Sequence, residues 1–510
     1  MTAPLAGAMR LALLAGPVVL AVWSGGYFEG PRLVAAVTIW VLLTILALGA
    51  GGPASPPLPR SAAARLALGG LAALTVWVLL SRAWAPLAGP AGDDAQRDVL
   101  YLGALACGVI AWRSRGWARA VEPLLALGAF AVIAYGLADR LLPGLFTLHH
   151  AVSAGGRMEL PLTYWNAMGA LAAIGFVLCT RLAGDRLRPR MIRVLGAGAT
   201  PLLAVGLYTT FSRGAMGAAI CGLLVLALLA PTWAQLRAIV TCASFGVVAA
   251  AIASRLDGVA SVQGTLGDRE TEGAGMLLAL VALTLVVVAS QAHAARSQAA
   301  GVARTGPLPL RRWGRVLLAL AALAVAAFPY AAASAGEHGE STPAFGTTNA
   351  RLSSVGTNRY AYWRVAVRTF ADHPLKGAGA ASFQVEWLRE RPFPDSVRDA
   401  HSLYLETLAE LGVVGFLALL ALFAGVLMAI WRSLRFDPAL ACGPVAGLAV
   451  WAVHAGVDWD WEMPALTLVA ITLAAVVLAR SETIGEELAS SSSSSSSPSS
   501  AWPPAASAAG

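Results

Sequence analysis

The feature that most constrains this chain is a succession of apolar runs separated by short segments in which arginine recurs. Each run is close to the ~20 residues that an α-helix needs to cross a bilayer. Backbone groups inside hydrocarbon have no water to bond, so such a run is stable only as a helix whose N–H and C=O groups satisfy one another. Residues of the AVILMFWYC set make up 57% of the 510 positions and charged residues 13%, whereas a soluble domain carries nearer ~25% charge. No soluble core could hide that much apolar side chain. The solvent for most of the chain is therefore lipid.

Runs of spanning length fall at 9–27, 32–50, 65–82, 98–112, 121–138, 163–181, 193–211, 214–231, 236–253, 273–291, 314–333, 412–431, 438–457 and 464–480. The expectation is an all-α polytopic membrane protein with about 14 transmembrane helices and one large helical extracytoplasmic loop. The first run has the length of a signal peptide, but no small-x-small cleavage site follows it cleanly and a second span begins at once, so it reads as a membrane helix. The shortest run is 98–112, and the pair meeting at Ser212–Gly214 is joined by almost no loop.

Basic residues of short loops stay on the cytoplasmic side, so arginine placement sets the orientation. With the N-terminus inside, the cytoplasmic segments collect Arg113, Arg115 and Arg119, then Arg181, Arg186, Arg188, Arg190 and Arg193, then Arg296, Arg304, Arg311, Arg312 and Arg315. Both termini are then cytoplasmic. The one long loop, 334–411, lies outside and contains helix-like stretches at 358–370 and 400–411, which makes it a small folded cap; a loop of this length usually carries function. The expected organisation is eleven spans over 1–333, the extracytoplasmic cap over 334–411, three more spans over 412–480, and a disordered, Ser-rich cytoplasmic tail over 481–510.

The net charge of +8 arises from 36 Lys+Arg against 28 Asp+Glu. Because the basic residues are scattered between apolar runs, they point to membrane topology and anionic substrates, not to nucleic acid. The five cysteines lie inside apolar stretches with no paired spacing, so neither a disulfide framework nor a metal site is indicated, and no cofactor motif is present. Near the last loop, Asp458, Asp460 and Glu462, interleaved with Trp459 and Trp461, read as acceptor contacts or as interfacial decoration; decoration is the favoured reading, with Asp458 set apart as a candidate contact.

The cap holds the residues best suited to chemistry. It opens with Asn358-Arg359-Tyr360-Ala361-Tyr362-Trp363 and continues through Asp372-His373-Pro374-Leu375-Lys376-Gly377-Ala378-Gly379. It closes with Ala400-His401-Ser402-Leu403-Tyr404-Leu405-Glu406-Thr407-Leu408-Ala409-Glu410-Leu411-Gly412. This layout resembles the O-antigen ligase and O-antigen polymerase family of bacterial membrane proteins over roughly 351–426. Fainter echoes occur at Pro161-Leu162-Thr163-Tyr164-Trp165-Asn166, at Thr210-Phe211-Ser212-Arg213-Gly214 and at His454-Ala455-Gly456-Val457-Asp458.

The resemblance implies a metal-independent glycosyltransferase in the cytoplasmic membrane of a bacterium. Such an enzyme moves a glycan from a polyprenyl pyrophosphate carrier to a glycan, lipid or protein acceptor at the outer face. It also implies that His401, at the position of the family's histidine, is the base that activates the acceptor hydroxyl, while Arg213 and Arg359 hold the pyrophosphate. The family pattern often has Asn after the histidine; here the residue is Ser402. Arg157, Tyr164, Asn166, His373 and Asp458 complete the candidate substrate-binding set.

Residue chemistry is compatible with this assignment. Imidazole, with a reference pKa near ~6.5, is a suitable base near neutral pH, and arginine offers a permanently charged fork to a diphosphate. Bland roles are available too: His401 can be a satisfied loop histidine that helps to pack the cap, Arg213 can snorkel to headgroups, Arg359 can pair with a cap acid such as Asp372, and His373, followed by Pro374 and two glycines, can fix a turn. Glu406 and Glu410, one helical turn apart, more simply cap and orient than form a hydrolytic carboxylate pair. Alternative functions are a repeat-unit polymerase of the same family, a protein O-oligosaccharyltransferase and, from another class, a transporter. A transporter would show ionisable residues and broken helices at mid-membrane, whereas here nearly all ionisable residues fall at span ends or in the cap.

Overall fold

The computed structural model describes residues 3–49, 59–301 and 357–494, together with Gly306 and Thr347. Among the described residues the chain is entirely helical, with sixteen α-helices and no strand. In chain order they are α1 (Ala3–Val22), α2 (Glu29–Gly49), α3 (Ala62–Ser81), α4 (Ala88–Ala111), α5 (Arg115–Leu141), α6 (Trp165–Gly184), α7 (Arg190–Thr209), α8 (Arg213–Leu229), α9 (Trp233–Ala253), α10 (Asp257–Ala260) and α11 (Leu266–Ala299). They continue with α12 (Arg359–Asp372), α13 (Phe383–Glu390), α14 (Leu403–Phe436), α15 (Pro438–Ala455) and α16 (Pro464–Ser494).

Among the described residues ten helices are long and apolar enough to cross a membrane, against about fourteen expected over the whole chain. The differences have physical causes. The apolar parts of α1 and α8, Ala6–Val22 and Arg213–Leu229, are shorter than the rest. Helix α4 carries Asp93, Asp94, Arg97 and Asp98 in its first half. The expected span at 314–333 lies outside the described residues, as do the first part of the expected cap and the chain beyond Ser494. Helix α16 runs past the expected boundary at 480, where Arg480 is tied to Asp437 (3.1 Å) and Glu487 (2.8 Å). The protein is a multi-pass membrane protein.

Helix α6 is buried along its whole length and the apolar stretch of α16 over almost all of its own, whereas α2, α9 and α11 lie at the periphery. Small residues set the closest packing, since helices in lipid gain from close backbone approach where no side chain intervenes. A Cβ on Gly70 would stand 2.4 Å from the Leu422 backbone, and one on Gly425 would stand 2.4 Å from that of Ala67, so α3 and α14 lie almost backbone to backbone. At the end remote from the cap, ion pairs bind the arginine-rich turns: Arg188 to Glu122 (2.8 Å), Arg181 to Asp185 (3.3 Å) and Arg115 to Asp437 (3.0 Å).

The described part of the cap, residues 357–402, has its own small core of Tyr362, Trp363, Phe383, Trp387 and Ala400, onto which the first turns of α14 pack. Cap and membrane helix are continuous. Helix α14 begins at Leu403 and passes through Gly412 with φ +63° and ψ −165°, a kink in a region essentially reserved for glycine. The His-Pro-Leu-x-Gly-x-Gly turn docks into that kink: the N–H of Val413 donates to Pro374 O (2.9 Å), Ala378 N–H to Ala409 O (3.0 Å) and Gly379 N–H to Glu410 O (2.8 Å). A Cβ at Gly377 or Gly412 would come within 2.2–2.4 Å of the opposing backbone. These glycines therefore fasten the cap to the membrane domain.

Candidate active site

Three tight turns bring chain-distant side chains together beneath the cap. The first joins α7 to α8. Phe211 adopts φ +49°, which reverses the chain in a single step, and the Ser212 hydroxyl then caps α8 by accepting from Ala215 N–H (3.3 Å). Arg213 is thus the first residue of α8, and Gly214 behind it leaves room for Val457 and His454, each within 3.4 Å of where a Cβ would be.

The second turn precedes α14. His401 is held at φ +55°, a left-handed conformation uncommon outside glycine and concentrated at functional sites. The following Ser402 caps α14 by accepting from Leu405 N–H (3.5 Å). Asn would cap equally well, so the departure from the family pattern keeps the local structure. Glu406 reaches back to Ala400 N–H (2.7 Å), and Glu410 accepts from Ala381 and Phe383 N–H (2.9 Å each), so both carboxylates cap and orient as their spacing suggested.

The third turn, between α15 and α16, contains Asp458. Its carboxylate is fully buried and accepts from the Arg359 guanidinium, from the Tyr164 hydroxyl (2.7 Å) and from Trp459 N–H (3.0 Å). The Asn166 amide donates to the same Tyr164 oxygen (2.7 Å). Arg359 therefore pairs with Asp458 and not with Asp372. Arg213 lies within electrostatic reach of Arg359 and Tyr360, and His401 within reach of both Arg359 and Asp458. Tyr164, Asn166, Arg213, Arg359, His401 and Asp458 thus form one neighbourhood.

The imidazole has a defined tautomer. Its Nδ1 lies 2.9 Å from Asp399 O, and because a carbonyl only accepts, Nδ1 carries the proton and Nε2 holds the lone pair. Tyr362 lies 5.3 Å from the ring and the Trp363 indole donates to His401 O (3.3 Å). Burial pulls the His401 pKa down to about 4, against the opposing pull of Asp458. Arg359, although burial acts against its charge, is held above its ordinary value by Asp458 and Tyr164.

Two expected residues stand apart. The Arg157 guanidinium is buried, bound to Ala154 O (2.6 Å) and Ser153 O (3.0 Å), and lies over the Trp165 ring at 3.6 Å. It supports Tyr164 from behind through Trp165, whose ring lies 5.0 Å from the tyrosine's. His373 is exposed and ends α12 with its N–H on Thr369 O, and its carbonyl accepts from Gly377 N–H (3.0 Å). It belongs to the docking turn.

Apart from the half-buried Trp459, the loop read as interfacial decoration is buried instead. Asp460 is paired with His454 Nδ1 (2.7 Å), both inaccessible to solvent, and the Trp461 indole donates to Asp98 (3.1 Å). Glu462 lies 3.4 Å from Arg97. Trp459 stacks on Tyr164 with centroids 4.2 Å apart and meets His401 edge-on at 6.4 Å. The alternation of aromatic and acid that resembles an interface belt was the only available signal, and it marks a turn packed into the site.

One group among the described residues has metal-ligand spacing: the carboxylates of Asp399, Glu406 and Glu462 lie within 4.8 Å of one another. Burial pushes Asp399 up to about 7 and Glu462 up to about 8, and Arg97 stands 3.4 Å from Glu462. Beside it, Asp94, Arg97, Asp98, Glu406, Glu410 and Glu462 line a cavity of about 40 Å³, enough for water.

The arrangement combines a neutral imidazole with an open lone pair and two guanidinium groups within one charged network. Residues 270–420 match the family model described as O-antigen ligase. The matched segment runs from α11 through the cap to the kinked first half of α14, and so contains Arg359 and His401 but not Tyr164, Arg213 or Asp458. The match supports a ligase- or polymerase-type enzyme acting on glycans at a membrane. No curated protein matches the chain.

Proposed function

We propose that this protein is a metal-independent glycosyltransferase of the bacterial cytoplasmic membrane, with its cap on the outer face and both termini in the cytoplasm. It moves a glycan from a polyprenyl pyrophosphate to an acceptor hydroxyl. The observation that supports this most directly is the meeting of His401, Arg359, Asp458 and Tyr164, drawn from four separate elements, next to the Arg213 end of α8.

In the reaction the diphosphate rests against Arg213 and Arg359, whose fixed charge stabilises the leaving group as its bond to the sugar lengthens. Asp458, anchored by Tyr164 and through it Asn166, orients Arg359. The acceptor O–H loses its proton to His401 Nε2 as its oxygen bonds to the anomeric carbon, and the C–O bond to the diphosphate breaks with inversion. Polyprenyl pyrophosphate leaves, and His401 returns the proton to solvent. A low intrinsic basicity suits this order of events: the imidazole stays neutral until the donor's negative charge arrives and raises its proton affinity.

The test is reconstitution of the purified protein into proteoliposomes with a lipid-linked oligosaccharide and a hydroxyl acceptor, without added divalent metal. Release of polyprenyl pyrophosphate matched by a glycosylated acceptor is the expected result. One addition per acceptor marks a ligase, and a ladder of products marks a polymerase. Absence of any transfer, with the lipid-linked donor moved intact across the bilayer, would refute the proposal in favour of transport.

A further inference from the structure

At the end of the bundle remote from the cap, small side chains leave a trough in the outer surface of the helices. Helices α3 and α14 meet almost backbone to backbone at Gly70 and Gly425, and beyond that contact only Ala62, Ala63 and Ala424 stand where larger residues would fill the space. The result is an apolar groove of about 600 Å³, walled by Leu427, Met428 and Trp431 of α14; pockets of roughly 300–1,000 Å³ hold small ligands. Leu427 is 62% and Trp431 59% exposed, so the groove opens sideways from the bundle.

Two polar groups close one end of it. Arg432 of α14 lies across α16, its guanidinium 3.4 Å from where a Cβ on Gly485 would stand. It has neither an ion pair nor a hydrogen bond among the described residues. Carboxylates of that corner are engaged elsewhere: Glu482 accepts from the N–H groups of Arg60 (2.8 Å) and Ser61 (2.7 Å), and Asp437 and Glu487 bind Arg480 (3.1 and 2.8 Å). Ser481, one turn before Gly485 on the same face of α16, lines the groove, is 1% exposed, and has a hydroxyl with no partner among the described residues. A helical serine commonly donates to the carbonyl four residues back, but Val477 O receives the Ser433 hydroxyl instead (3.1 Å). A buried hydroxyl without a partner is costly. Guanidinium and hydroxyl together are therefore complementary to an oxygen-rich anion at the end of an apolar chain.

A phospholipid has that shape and charge. Basic pockets between transmembrane helices take anionic headgroups, and a guanidinium grips phosphate oxygens through charge-assisted bonds. Arg435, held over the exposed Trp431 ring (5.7 Å), adds a second cation at the rim. The groove is separate from the diphosphate placed at Arg213 and Arg359. Arg432 lies roughly 40 Å along α14 from His401, at ~1.5 Å per residue, which is the far side of a hydrocarbon layer ~30 Å thick.

We propose that this groove binds an anionic phospholipid, with one acyl chain over the three alanines and the phosphate between Arg432 and the Ser481 hydroxyl. The site lies beyond the transfer reaction, and its test needs no catalysis.

The full chain, delipidated in detergent, is presented with an equimolar mixture of phosphatidylglycerol and phosphatidylcholine carrying the same acyl chains, and retained lipid is counted by native mass spectrometry. The wild type is expected to keep one phosphatidylglycerol in preference. Arg432→Gln should lower that preference about fivefold, the share of one basic contact, and Ser481→Ala by less. Ala62→Trp, at an exposed position, fills the apolar end and should expel the lipid without touching the arginine. Arg186→Gln removes an exposed charge at the same end of the bundle but outside the groove, and should retain lipid as the wild type does. Equal retention of both lipids by the wild type, an unchanged preference in Arg432→Gln, or an equal loss in Arg186→Gln would overturn the site, the last by reducing it to bulk surface charge. Lipid binding that arises only after removal of residues 495–510 would assign the groove to the chain's own tail and overturn it as well. Each of these results leaves the transfer assay to judge the role of His401 separately.

Discussion

The Arg359–Asp458 pair gives the sharpest quantitative expectation. Asp458 is fully buried and Arg359 has about one-fifth of its side chain exposed. Two unit charges in contact at an effective dielectric near 20 attract by about 4 kcal/mol. Solvent access to Arg359 screens part of this, which leaves a coupling of about 2–3 kcal/mol. Asp458→Asn keeps the shape and an acceptor for Tyr164 but strands the guanidinium, and should destabilise the protein by about 3 kcal/mol. Arg359→Gln strands the carboxylate to a similar extent. The double variant removes both charges and should cost well under the sum of the two. The assay is a double-mutant cycle on unfolding in mixed detergent micelles. Single-variant effects that add to within about 0.5 kcal/mol would show that the two groups do not depend on each other and would refute the coupling.

Other expectations follow from the same geometry. The acid limb of kcat/KM should lie near pH 4, because a base must be neutral to act and burial holds His401 at about 4; a limb near 6.5 would mean that the imidazole is solvated. Gly412→Ala should lower stability by about 2–4 kcal/mol in thermal unfolding, through its positive φ and the contact with Leu375 O, and unchanged stability would contradict the docking of the cap turn into the kink. His150 bridges Asp139 (2.5 Å) and Glu159 (3.1 Å), and these hydrogen bonds raise its pKa to about 9. Its stabilisation is therefore complete below about pH 6.5 and is lost as pH rises through about 9. Discounted for its exposure, it amounts to about 1–2 kcal/mol, and a melting temperature of His150→Ala equal to wild type at pH 6 would refute it.

The sequence disclosed the helices and much of the site, for different reasons. Apolar runs of bilayer length must be helical, so α2, α3, α6 and α14 lie where hydropathy places them. Helix α4 was foreshortened to 98–112 because Asp93, Asp94 and Arg97 dilute its first half, and only the fold shows these residues meeting Arg32, Glu462 and one another. His401 and Arg359 were singled out through the family resemblance and Asp458 through a fainter echo of it. The Tyr164–Asp458 bond spans 294 residues, and no local pattern announces a contact of that separation. Trp459 and Asp460 were misread for a related reason: alternating aromatic and acidic residues look alike at a lipid interface and in a buried turn, and only the partners, Tyr164 and His454, distinguish the two.

The most direct test of the central claim is transfer by His401→Ala in proteoliposomes with a lipid-linked glycan and its acceptor, compared with wild type at equal folded protein. If His401 is the base, the variant unfolds at a temperature close to that of wild type and binds the donor, yet transfers at least about a hundredfold more slowly. Transfer at the wild-type rate would contradict the assignment and leave the convergence of these side chains without a catalytic meaning.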